Sequence, residues 1–251
     1  MSLKILNNNG NGGLMISNTG ANGSFSLKNS VGLVTSPDIV TDGLTLRLDA
    51  SKTESYDGDG DTWYDLAGTQ QNITLVNSPF YSYPIGIPGA FTFNGLIHRG
   101  IGTGAVLTTS SYTKSIWFRY FNFQDNNLIS SANGGHFMYM NGEDKIYCGH
   151  SNWPNYTAYP STGTFTNGIW YNVTLTFNTT DGMTLYINGY QDSTYTSNKD
   201  PHNGDSSVNI ASFGDGNLFS GQISKVYCYN RSITASEVLH NYNIDKAEFG
   251  F

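Results

Sequence analysis

The segment from His150 to Pro160 holds the side chains of this 251-residue chain that are best suited to binding a ligand. Its candidate contacts are aromatic, amide and imidazole groups, namely His150, Asn152, Trp153, Asn155, Tyr156 and Tyr159. An aromatic ring can stack on the C–H face of a sugar, and Asn or His can hydrogen-bond its hydroxyls. Two prolines would pre-order this loop and lower the entropy cost of binding. Sugar binding, packing on another subunit and a plain surface loop are the three interpretations left open.

A run of three aspartates before Trp63 is the second candidate site. The residues are Asp57, Asp59 and Asp61, which alternate with glycines. Carboxylates at alternating positions can supply the hard oxygen ligands that Ca²⁺ prefers, so Ca²⁺ is the one cofactor the sequence suggests. The run is not an EF-hand loop, because Thr62 stands where Gly is required and Gly68 where Glu is required. A solvated turn is the alternative. The five histidines show no ligand spacing.

The remaining carboxylates do not form a catalytic pattern. Retaining glycoside hydrolases place two carboxyl groups about 5 Å apart, a separation that neighbouring positions on one strand face can supply. Here glutamate occurs only at positions 54, 143, 237 and 248, and the acidic residues fall in predicted loops. The chain also contains no nucleophile elbow, HExxH motif or P-loop. The sequence therefore predicts a protein that is not an enzyme.

Composition narrows the function classes further. Charged residues make up only 12%, the net charge is −7, and no Lys/Arg cluster occurs, so a nucleic-acid partner is not expected. No apolar run reaches about 18 residues, so membrane insertion is not expected either. The first residues contain no apolar run of secretory-signal length. Frequent Gly, Tyr and Phe favour many short strands and turns. Cys148 and Cys228 are expected to be buried thiols, with a bridge as the alternative.

The elements that must position these residues are organised around the segment from Trp170 to Gly189. Residues 170–177 alternate between apolar and polar side chains, as in a half-buried strand. A turn containing Gly182 follows, and a second alternating run ends at the Asn188-Gly189 turn signal. This pattern predicts an antiparallel hairpin with one apolar face, which a second sheet must cover.

Two motifs carry a resemblance to a known family. The first is WYxVTxTFxxxDGxxxYING, from Trp170 to Gly189, and the second is FxGxIxxVxxYNRxxTxxEV, from Phe219 to Val238. They resemble the laminin-G-like branch of the concanavalin A-like lectin/glucanase superfamily. The resemblance implies an all-β fold, a two-sheet antiparallel jelly-roll sandwich. The glycanases of that superfamily use two carboxylates on one strand in an ExDxxE-like pattern, which this chain lacks.

The rest of the chain fits the same plan. Residues 115–121 are apolar on both faces and predict a central strand. Thr234 and Glu237 form a capping-box signature that predicts one short C-terminal helix, from Ala235 to Asn243, which we expect to close one end of the sandwich. Residues 38–251 are thus predicted to be the jelly-roll domain.

Residues 1–37 differ in composition from the rest. They are rich in Asn, Gly and Ser, with short apolar pieces about every ten residues, and cannot build a core alone. We expect an assembly arm that orders on other virion subunits or on copies of the same chain, with a flexible tail or a sandwich extension as alternatives. The sequence thus favours a structural protein of a virus particle, most of all of a phage: a capsid decoration, tail or fibre component located in the virion. Host glycans are a further expected partner. The alternative is a carbohydrate-binding lectin module at a bacterial cell surface.

Overall fold

The chain divides into two compact units, Met1–Asp38 and Ile39–Phe251. The structure, a computed structural model, describes the backbone of residues 3–5, 14–18 and 25–28. It also describes residues 38–251, except 104–105, 108–109, 123–125, 132–134, 153–154, 198 and 203–206 and the side chains of 126, 151–152 and 155–157.

The first unit contains a three-stranded antiparallel sheet. Its strands are β1 (Leu3–Ile5), β2 (Leu14–Asn18) and β3 (Phe25–Lys28), and β2 lies in the middle. These strands coincide with apolar pieces of the arm that recur about every ten residues in the sequence.

The second unit is a sandwich of two antiparallel sheets, as predicted. Sheet I has eight strands: β4 (Leu44–Asp49), β7 (Phe80–Ser82), β8 (Ala90–Asn94), β10 (Ser111–Asn122), β15 (Tyr171–Asn178), β16 (Gly182–Ile187), β17 (Tyr190–Tyr195) and β19 (Ser220–Tyr229). Their order is β17-β16-β15-β10-β19-β8-β7, and β4 also pairs with β19. The predicted central strand is β10, which lies between β15 and β19.

Sheet II also has eight strands, in the order β14-β13-β12-β11-β18-β9-β6-β5. They are β5 (Thr62–Trp63), β6 (Ile73–Val76), β9 (Arg99–Thr103), β11 (Asn126–Ser130), β12 (His136–Met140), β13 (Ile146–Asn152), β14 (Asn155–Pro160) and β18 (Ser207–Ile210). The inward side chains of both sheets form one apolar core. Cys148 and Cys228 are buried in this core as unbridged thiols, and burial raises the pKa of Cys148 to about 12.

The organising hairpin is present as β15 and β16, with Leu175 opposite Leu185 and Gly182 at a φ of 86° in the turn. The predicted half-buried strand is instead buried on both faces. Asn172, Thr174 and Thr176 are buried, because the outer face of sheet I is covered by a second apolar cluster. That cluster consists of Ile39, Tyr186, Tyr227, Tyr229, Ile233 and Val238.

The predicted C-terminal helix is α1 (Ala235–Asp245), followed by the 3₁₀ helix η1 (Lys246–Phe249). The capping box of Thr234 and Glu237 is confirmed. Its expected position at one end of the sandwich is wrong, since α1 and η1 lie on the outer face of sheet I. There the Trp117 ring stacks on Tyr242 and Phe249, with ring centres 5.6 Å and 3.9 Å away. Because β10 and β19 carry aromatic residues on both faces, the outer face also needs a cover.

A buried ion cluster attaches the C-terminal helices α1 and η1 to sheet I. Lys225 Nζ lies 2.8 Å from Asp245, 3.0 Å from Glu248 and 3.2 Å from Asp49. Burial alone would lower the pKa of Lys225, but the carboxylates of Asp245, Asp49 and Glu248 raise it above its ordinary value. Tyr227 also donates to Asp245 at 3.0 Å. The C-terminal segment is therefore held by compensated charges as well as by stacked rings. No helix in the described part of the chain is long and apolar enough to cross a membrane.

Candidate functional site

The segment predicted as a ligand loop is largely a hairpin of β13 and β14 at the edge of sheet II. His150 has no exposed surface and faces the interior, where a surface glycan cannot reach it, so the sequence prediction places it on the wrong face. Tyr159 is half-buried and stacks on Tyr195, with ring centres 4.1 Å apart, so its ring joins the edges of the two sheets. The side chains of Asn152, Trp153, Asn155 and Tyr156 lie outside the described residues, and their role in sugar binding stays a prediction.

His150 belongs to a polar cluster inside the sandwich. It shares a hydrogen bond of 2.9 Å with the Tyr112 hydroxyl, and His136 and His202 share one of 3.0 Å. Lys114 Nζ donates to backbone carbonyls of sheet II at 2.7 Å and 2.9 Å. Burial, Lys114 and the two neighbouring histidines hold the pKa of His136 well below its ordinary value. The fold thus brings together three histidines that are far apart in sequence, and keeps His136 neutral.

The three predicted Ca²⁺ ligands do not converge. Asp57, Asp59 and Asp61 are all exposed, and Asp57 accepts from the backbone N–H of Asp59 at 3.3 Å while Asp61 accepts from Thr62. Within the described residues, no group of three or more His, Cys, Asp or Glu side chains could hold a metal ion. The alternating aspartates therefore form an exposed turn, because alternation in a loop does not aim successive side chains at one point.

A hydrogen-bonded polar row crosses the outer face of sheet I, beyond the part that α1 covers. We define the polar row as Thr92, Gln222 and Arg119, which lie directly opposite one another on β8, β19 and β10. Arg119 Nε donates to Gln222 Oε1 at 2.8 Å, and Gln222 Nε2 donates to Thr92 Oγ1 at 2.8 Å. Each side chain therefore fixes the rotamer of the next one, so the row is pre-organised.

Aromatic rings flank the polar row at both ends. Phe80 on β7 lies opposite Thr92 and is 68% exposed. At the other end, the Arg119 guanidinium carbon lies 5.7 Å from the ring centre of Phe121 and 5.2 Å from that of Trp170. Phe121 is 40% exposed. At about 4.8 Å between neighbouring strands, the row from Phe80 to Arg119 spans roughly 14 Å.

A cleft of about 370 Å³ opens beside the polar row. We call it the amide cleft; it is lined by Asn94, Gly95, Leu96, Asn122, Asn217, Leu218 and Ser220. Asn94 Oδ1 accepts three backbone N–H groups of the following turn, at 3.0 to 3.3 Å, so its NH₂ group is the donor left to face a ligand. Gly95 has a φ of 70°, and a Cβ there would stand 2.9 Å from Ser220 Cβ. A side chain at position 95 would therefore crowd Ser220, which also lines the cleft.

The comparisons with known proteins agree with this architecture. A laminin-G-type family profile, described as the concanavalin A-like lectin/glucanases superfamily, matches residues 100–239, more than half of the chain. The chain belongs to the concanavalin A-like lectin/glucanase superfamily. No curated protein matches it.

Solved structures with a similar fold include a toxin binding domain, a neurotoxin and a domain of an enzyme. The mosquitocidal protein 1 binding domain, of paraclostridial origin, is 18% identical with a TM-score of 0.64, over 81% of this chain and 52% of that one. Botulinum neurotoxin type C is 14% identical with a TM-score of 0.63, over 81% and 51%. Domain 4 of an extracellular arabinanase from Geobacillus stearothermophilus is 16% identical with a TM-score of 0.62, over 79% and 98%. The chain spans about half the length of the toxin chains it matches.

Sequence reasoning missed the polar row in this member of the superfamily. Thr92, Arg119 and Gln222 come from three strands that are far apart in the chain, so no local motif contains them. One signal was available. Arg119 is the one charged residue in the otherwise apolar segment from Ile116 to Phe121, where a charge needs a specific partner.

Proposed function

We propose that the jelly-roll domain binds carbohydrate without catalysing a reaction, and that the polar row and the amide cleft form the binding site. The observation that carries this proposal is the pre-organised row of hydrogen-bonding side chains between exposed aromatic rings on a rigid sheet. Sugars present alternating hydroxyl edges and C–H faces, so a site of amide groups flanked by rings matches their chemistry. Because the site stands on strands, little conformational entropy is lost on binding.

Two of the structural neighbours support a binding role. Cell entry of botulinum neurotoxin type C depends on interaction with two ganglioside molecules, and domain 4 of the arabinanase is known in complex with arabinotriose. Their sequences are too distant to transfer a site. They support the proposal because the same sandwich carries glycan recognition in unrelated settings.

We propose that the site is not catalytic because of the residues that line it. The seven residues around the amide cleft include no Asp or Glu, so no carboxylate lines the cleft to act as acid or nucleophile. The buried carboxylates Asp49 and Asp245 are neutralised by Lys225 beneath the C-terminal segment. Reducing-sugar release from β-glucans is therefore expected to stay at background.

We further propose that the chain is a structural component of a virus particle, located in the virion and joined to it through residues 1–37. The observation that favours this role is that the N-terminal unit forms a small three-stranded sheet of its own, too small for an independent core. Such a sheet gains stability when neighbouring subunits cover it. A bacterial cell-surface lectin is the alternative setting.

Glycan-array screening followed by titration calorimetry tests the binding role and separates the two candidate sites. If the polar row binds the glycan, Gln222→Ala should weaken binding by about 0.5–1.5 kcal/mol per lost hydrogen bond, while Trp153→Ala should have no effect. Tyr190→Ala is the matched control, because Tyr190 is 67% exposed on the far edge strand β17. Loss of binding in Trp153→Ala alone would move the site to the β13–β14 hairpin. An array without any binding would overturn the proposal.

A further inference from the structure

The polar row contains one full positive charge that no protein carboxylate matches. In the part of the chain that the structure describes, Arg119 forms no ion pair with Asp or Glu. Its Nε–H group is used by Gln222, and its guanidinium is held near the Phe121 and Trp170 rings. The two terminal nitrogens of Arg119 donate to no acceptor among the described residues. Some polar atoms of this protein are buried without a hydrogen-bond partner, but these two nitrogens are not among them, so they remain accessible.

The two terminal nitrogens of Arg119 can therefore donate to an acceptor on a ligand. A guanidinium presents two parallel N–H groups in a planar fork, which matches the two oxygens of a carboxylate. Lys225, three positions from Gln222 on β19, is already surrounded by three carboxylates, and the whole chain has a net charge of −7. A sulfated or phosphorylated polyanion would need several cations in one place. A single arginine suits a ligand with a single negative charge.

We infer that the glycan bound at this site carries a carboxylate, as a uronic acid or a sialic acid does, and that Arg119 binds that carboxylate through its two terminal nitrogens. This inference rests on the proposed function and adds the class of ligand. The neutral part of the same glycan lies toward the amide cleft. Ser220 in the cleft is two residues from Gln222 on β19, a distance of about 7 Å, so one oligosaccharide can contact both.

Matched acidic and neutral sugars provide the test. The probes are galacturonic acid with its methyl ester, and sialyllactose with lactose, each titrated into the full chain by calorimetry. For at least one pair we expect the acid to bind roughly tenfold to a hundredfold more tightly than its neutral partner, because a charged hydrogen-bonded pair is added. This preference should shrink as NaCl is raised, since salt screens exposed charges. Arg119→Gln should bring the ratio of acid to neutral affinity close to one.

Arg99→Gln is the control variant, because Arg99 is already paired with Asp215 at 2.9 Å and lies on sheet II. It should keep the wild-type ratio, and the melting temperatures of both variants confirm that they are folded. Neutral sugars that bind as well as the acids would overturn this inference and leave the proposed function standing. A preference for acids that survives Arg119→Gln would overturn the role of Arg119. A panel in which neither acids nor neutral sugars bind would overturn both proposals.

Discussion

At the scale of single residues, the two buried lysines Lys114 and Lys225 find their partners on distant segments of the chain. Lys114 reaches across the core to two carbonyls of sheet II, and Lys225 is enclosed by carboxylates from β4 and the C-terminal segment. An unpaired buried charge would be costly, so these contacts must form together with the sandwich. Arg119 differs from both, because its guanidinium forms no ion pair with a described carboxylate, and we propose that a ligand supplies its partner.

The buried histidine His136 makes stability depend on pH. Its pKa is lowered by burial and by Lys114, His202 and His150, so the folded state holds it neutral while the unfolded state takes up a proton below pH about 6.5. The stability that depends on neutral His136 is therefore fully present above that pH and is lost as the pH falls below it. The loss approaches about 1.4 kcal/mol per pH unit for each such histidine.

Thermal melts between pH 7.5 and 5 check this prediction. The melting temperature of the wild type should fall with pH, and His136→Gln should make the decline shallower. His240→Gln is the control, since His240 is exposed on α1 and should keep the wild-type slope. A His136→Gln slope equal to that of the wild type would show that another group causes the acid loss.

At the scale of elements, helix α1 packs against the turn between β16 and β17 at a glycine. Gly189 has a φ of 80°, and a Cβ there would stand 2.9 Å from the Tyr242 ring and Cβ atoms. Gly189→Ala therefore adds both backbone strain and a clash, whereas Gly168→Ala, at a φ of 77° with open space around it, adds strain alone. In urea denaturation Gly189→Ala should lose about 1–3 kcal/mol more stability than Gly168→Ala. Equal losses would mean that α1 shifts away without cost.

The same element shows how far sequence reasoning reaches. The capping box and the helical spacing are local signals, so α1 could be predicted almost to its last residue. The position of α1 could not be predicted, because it depends on which face of the sheet carries aromatic rings that need covering. Trp117 and Tyr227 lie on strands whose core-facing side chains are apolar too, so the sequence does not distinguish the two faces. Strand hairpins were predictable for the same local reason. The polar row was not, because it exists only after β8, β19 and β10 pair.

At the scale of the whole molecule, we propose separate roles for the two units. The core lies within Ile39–Phe251, so deleting residues 1–36 should leave the β-type circular dichroism and the melting temperature of the sandwich unchanged. Incorporation into a particle or an oligomer should be lost. A chain in which residues 1–36 are replaced by a Gly/Ser segment of equal length separates the effect of length from that of sequence. Normal incorporation of the truncated chain would remove the physical support for the virion proposal.

The position of β19 has a consequence for how the protein is made. It pairs with β4, β8 and β10, all of which are synthesised earlier, and it begins roughly 100 residues after β10 ends. At a translation rate of about 5–20 residues per second, β10 waits on the order of 5–20 seconds for this partner, and β4 and β8 wait longer. Meanwhile their backbone edges and apolar faces are open to wrong pairing between nascent chains. A chaperone that holds the nascent chain during this interval should therefore raise the yield of soluble protein.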